Sequence, residues 1–119
     1  MARRSRRRDD PAEKLSAPVS EYPDADGNVL ALRGSLTPGS RREYARVIAG
    51  GLNREDAWQR ATEFLFERLA VGWTIAGLEL SKQKELLGRY RMASMDERRF
   101  VREALRAHLA EHFPELEAP

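Results

Sequence analysis

The chain has 119 residues, 41% of them hydrophobic and 34% charged, which allows one domain with a modest core and leaves no room for two. It contains no cysteine, which excludes a disulfide scaffold, a thiolate nucleophile and every cysteine-ligated metal centre. The net charge of +2 belongs to one end: residues 1–10 hold Arg3, Arg4, Arg6, Arg7 and Arg8 against Asp9 and Asp10, and the rest of the chain carries sixteen basic and seventeen acidic side chains.

Residues 1–18 have Leu15 as their one large aliphatic side chain after Met1. They cannot bury enough apolar surface to offset chain entropy, so a disordered basic tail is expected. Its five arginines are candidate contacts for a nucleic acid, of the kind that weakens steeply as salt rises. No apolar run follows them, so they do not start a secretion signal. The longest uncharged apolar stretch, Leu69–Leu78, is ten residues, well short of the roughly 20 that span a bilayer. A cytoplasmic protein is the simplest expectation.

Residues 19–37 change character. Val19-Ser20-Glu21-Tyr22 alternates apolar and polar side chains, Pro23 to Asn28 is dense in turn residues, and Val29, Leu30, Leu32 and Leu36 follow. The Asp26-Gly27-Asn28 step tolerates positive φ, and the whole predicts a short β-hairpin or an extended arm. An isolated hairpin is marginal in water, so it must lie on the helices or pair with a partner's strand.

Residues 38–119 read as a helical domain. Ser40-Arg-Arg-Glu43 fits a capping box, with Tyr44, Val47 and Ile48 on one face and Gly50-Gly51 as a stop. Asn53 caps a second helix whose spine runs Trp58, Ala61, Leu65, Leu69 and Trp73 and which should end near Gly77. Ser81 caps a short helix carrying Leu86, Leu87 and Tyr90. Ser94-Met-Asp-Glu97 is a second capping box, opening a helix with Val101, Leu105, His108, Leu109 and His112 on one stripe before Pro114. Four helices with short links predict a mostly-α fold, a small antiparallel four-helix bundle preceded by the hairpin or arm and the tail. No internal repeat is visible.

The motifs reduce to ordinary structure when weighed. His108-Leu-Ala-Glu111-His112 spells an inverted zinc-protease motif, but it sits mid-stripe on the last helix and has only Glu115 and Glu117 downstream as further ligands, so packing is the expected role. Asp24-Ala-Asp26-Gly27-Asn28 starts like a calcium loop but has glycine at the wrong position and no twelfth-position glutamate. The helices near 81–91 and 95–112 carry many basic residues, as a helix-turn-helix would, yet the second opens with Asp96 and Glu97 where phosphate should approach. Gly34 to Ser40 precedes a helix start but lacks the ending of a phosphate-binding loop. No cofactor, metal or small-molecule substrate is inferred.

The hint of a surface lies in Phe64 and Phe66, about 200° apart on one helix. They cannot both face one core, so they are candidate interface residues, together with Trp73. The expected function is therefore a non-enzymatic helical interaction domain, homodimeric or bound to a protein partner. The alternative is accessory nucleic-acid or ribosome binding through Arg3, Arg4, Arg6, Arg7 and Arg8; an enzyme has no supporting constellation.

Overall fold

The computed structural model describes residues 18–51 and 53–119. The chain enters through two strands, β1 (Val19–Pro23) and β2 (Val29–Arg33), followed by two helices, α1 (Pro38–Ala49) and α2 (Arg54–Leu69). Two more strands, β3 (Ala70–Ile75) and β4 (Leu78–Leu80), lead to α3 (Gln83–Arg91) and α4 (Met95–His112). The four strands form one antiparallel sheet in the order β1-β2-β3-β4. A hairpin followed by two helices thus occurs twice, and β2 paired with β3 joins the halves.

This corrects the expected fold. The protein is not a four-helix bundle with a hairpin in front, because the second helix stops at Leu69 and the residues expected to extend it form a strand. Spacing of four places Leu65, Leu69 and Trp73 on one helical stripe, but Val71, Thr74 and Ile75 are β-branched and residues 71–75 also satisfy the period of two. Gly72 further weakens a helix there. The tight turn at Ala76-Gly77, with φ of 52° and 80°, closes a hairpin of the type that needs two residues at positive φ. Asn28, in the turn of the first hairpin, accepts the Ala76 N–H at 2.9 Å on its side chain and so ties the two turns together.

The sheet has one buried face. Tyr22, Leu30, Trp73 and Leu80 lie in register across all four strands, and Ser20 pairs with Leu32 in the next inward row. Val71 is the extra residue of a bulge, since Ala31 pairs with Gly72 and Leu32 with Ala70. The helices supply Tyr44, Ala61, Leu65, Phe66, Leu69, Leu86, Tyr90, Val101, Leu105 and Leu109 to the same core. Each fully buried large side chain there contributes roughly 1.5–3 kcal/mol relative to exposure.

Two helix starts agree with the sequence reading and two differ. Asn53 caps α2 by accepting the Asp56 N–H at 2.7 Å, and Ser94 and Glu97 complete a reciprocal capping box on α4. Helix α1 begins earlier than expected: Thr37 is its cap, accepting the Ser40 N–H at 3.0 Å, with Pro38 at the first position. Lys82, not Ser81, precedes α3, and it makes no side-chain cap. After α4 the chain folds back over the core, where Phe113 is buried and the Tyr44 hydroxyl donates to the Glu117 carbonyl.

Candidate functional site

The five tail arginines, Arg3 to Arg8, lie outside the described residues. Phe66 and Trp73 are core residues: Phe66 stacks on Tyr90 at 4.9 Å and meets the edge of Trp73 at 5.6 Å. Phe64, on the other side of α2, is half-buried between Tyr44 and the Arg68 guanidinium, 4.6 Å from its ring. The two phenylalanines point apart because α2 is buried on two sides, by α1 on one and by β3 and α3 on the other. Phe66 and Trp73 are therefore closed to a partner in this fold.

A different set of residues forms a surface groove of about 480 Å³ between α2 and α4. Trp58, Thr62, Tyr90 and Met95 line it, with Glu55, Asp56, Gln59, Arg60 and Glu63 along the α2 side and Arg98, Arg99 and Arg102 along the α4 side. The α2 wall is net acidic and the α4 wall is wholly basic. Two arginines, Arg102 and Arg54, stand 4.9 and 5.7 Å from the Trp58 ring centre, distances at which a cation and an aromatic face attract. One carboxylate oxygen of Asp56 makes no hydrogen bond although Arg60 Nε is 3.2 Å away. At the α3–α4 turn Met92 and Met95 are 83% and 80% exposed, more than the other exposed large hydrophobics among the described residues. Sequence reading placed Trp58 on a core spine; in the fold it is half-buried, stands outside the core cluster and lines the groove.

Several basic residues of the last two helices also brace the fold. Arg89 makes a bidentate pair with Glu97 at 2.8 and 3.1 Å, which with the capping bond holds the Glu97 carboxyl below its ordinary range. Arg98 donates to the Arg91 and Ala93 carbonyls at the end of α3, and Arg102 and Arg106 donate to the Pro119 carbonyl. Lys82 and Lys84, by contrast, are exposed.

His108 and His112 join a second cluster, against the edge strand β1. His108 is fully buried. Its Nε2 stands 2.7 Å from the Arg33 carbonyl oxygen, which only accepts, so that nitrogen carries the proton. Its Nδ1 is then the acceptor for the Tyr22 hydroxyl at 2.8 Å. The His112 ring lies 4.5 Å from that of His108, and its Nε2 is 3.2 Å from Ser20 Oγ. Burial pushes the His108 pKa down, with His112 adding to the effect and the Arg33 carbonyl opposing it. Both nitrogens of His108 are engaged, so it has no lone pair for a metal, and no group of three potential ligands gathers among the described residues.

A third feature is a cleft of about 390 Å³ lined by Arg33, Arg68, Ser35, Thr37, Ser40, Ser81 and others. Arg68 donates to Ser40 Oγ at 3.0 Å. Gly34, beside Arg33, donates its N–H to the Pro18 carbonyl at 2.7 Å, so the point where the tail joins the fold is next to this cleft. The Asp24 turn is explained by its own bonds: Asp24 accepts the N–H groups of Asp26 and Asn28 and the Asn28 amide, all at 2.8–2.9 Å. No helix among the described residues is long and apolar enough to cross a membrane. The chain matches no protein-family model, no curated protein and no solved structure.

Proposed function

We propose that the protein is a non-enzymatic interaction domain that associates with a second copy of itself through the α2–α4 groove. The observation that carries this is the pairing of opposite walls in one groove, acidic on α2 and basic on α4. Under a two-fold rotation about an axis along the groove each wall meets the opposite sign on the other copy, which is the self-complementarity that an isologous interface requires. Trp58 and the arginines are residue types enriched at interface hot spots, and exposed methionines adapt to the surface they meet. Light scattering on the full chain should return a dimer mass. Arg99→Glu or Glu55→Arg alone should weaken the dimer, and the two together should restore it in part. Monomers at every concentration, or a double variant no better than the single ones, would contradict the reading.

A second reading, accessory nucleic-acid binding through Arg3 to Arg8, is favoured by one observation: Arg33 and Arg68 line a cleft beside Gly34, to which Pro18 at the base of the tail is bonded. It requires that labelled DNA or RNA bind the full chain with a steep salt dependence, that removal of residues 1–10 abolish binding, and that replacing Arg33 and Arg68 weaken it further if the cleft takes part. Salt-independent or undetectable binding would dismiss it.

A further inference from the structure

Strand β1 is an edge strand with no fully buried residue. Outside its ladder with β2 it is held by Tyr22 on His108, by Ser20 on His112 and by the Pro18 carbonyl on the Gly34 N–H. Two of those three ties end on imidazoles, the side chains whose ordinary charge change lies nearest neutral pH. We propose that the Ser20–Tyr22–His108–His112 cluster is an acid-sensitive clasp, in which protonation of His108 releases β1 while β2, β3, β4 and the helices stay folded.

The geometry opposes a second proton on His108 in the closed state. Nε2–H already donates to the Arg33 carbonyl, and Nδ1 accepts from Tyr22. A proton on Nδ1 reverses that bond, turning the Tyr22 oxygen from donor to acceptor, and it creates a cation in a site closed to water. The Arg33 carbonyl and Glu111 offset that charge only in part, and burial outweighs them. On α4, His112 is a second basic ring 4.5 Å away, and Glu111 is an exposed carboxylate 3.9 Å from His112 Nε2. On β2, Arg33 is itself a cation. On β1, Ser20 and Tyr22 are neutral, and Glu21 belongs to the opposite face of the strand. Beyond Phe113, Arg41 of α1 is already paired with Glu115.

Lifting β1 removes the cover from His108 and lets water solvate its charge, so the open state takes up protons more readily than the closed one. Linkage then favours opening as pH falls below 6.5, the ordinary histidine value. What opening offers is the outer edge of β2, a row of unpaired backbone groups able to accept another strand.

Amide hydrogen exchange on the full chain from neutral to mildly acidic pH tests this, with rates corrected for the intrinsic pH dependence. Protection of the β1 amides should drop about tenfold per unit of difference between the closed and open histidine pKa values, while protection in β3 and α4 holds. His108→Gln keeps a donor and an acceptor but does not titrate, and its β1 protection should be flat with pH. Tyr22→Phe should lower β1 protection at every pH. Should His108→Gln fail to fold, the wild-type imidazole titration decides: β1 amide shifts must follow the His108 curve. Flat β1 protection in the wild type, loss shared with β3 and α4, or shifts that follow a different group would overturn the proposal.

Discussion

Tyr22 and His108 are 86 positions apart in sequence and 2.8 Å apart in the fold, and what each does follows from the other. A hydroxyl on an alternating strand is read from sequence as a surface group, and a histidine on an apolar stripe as packing. Only the sheet–helix contact makes them donor and acceptor. Replacing Tyr22 by Phe leaves His108 Nδ1 buried without a donor. It should destabilise the protein by about 1–3 kcal/mol, read as a lower urea midpoint with an unchanged slope. Phe64 and Phe66 teach the converse. Their divergence on α2 was visible in sequence, but the two surfaces that receive them, α1 and the β3–α3 layer, belong to the same chain.

Among the elements, end signals located two helix starts, Asn53 and Ser94, misplaced two by a few residues, Ser40 and Ser81, and were absent where α2 passes into β3. Asn53 and the Ser94–Glu97 box are local hydrogen-bonding devices, and the structure has them where the residues stand. The boundary at Leu69 has no such mark, because α2 passes into β3 without a loop and the apolar stripe runs on to Trp73. The turn after β3 carries the clearest test. Ala76 is the one non-glycine residue at positive φ among the described residues, where a Cβ costs roughly 1–2 kcal/mol. Ala76→Gly should therefore raise the melting temperature. Gly77→Ala should lower it despite the free space around Gly77, which isolates the conformational cost. At the start of α4, Glu97 closes the capping box and holds Arg89. Glu97→Ala should cost about 1–2 kcal/mol. The Arg89 pairing holds the Glu97 carboxyl below its ordinary value of 4.5, so this contribution is present above that pH and is lost as pH falls through the folded value. The wild type and Glu97→Ala should accordingly converge in stability in acid.

As a whole molecule the protein carries a hairpin followed by a helix pair twice, with α2, α3 and α4 against a shared sheet, α1 against α2 and the chain end folded over the core. That arrangement leaves α2 and α4 side by side with oppositely charged walls and an exposed pair of methionines at one end. The sequence showed the charges on these two helices but not their juxtaposition, since Glu55 and Arg99 belong to different repeats. Association through this groove is tested by sedimentation equilibrium of the full chain from low to high micromolar concentration. The expected mass rises to that of two chains, and the dimer weakens as salt screens the facing walls. A single-chain mass throughout, unaffected by salt, would contradict it.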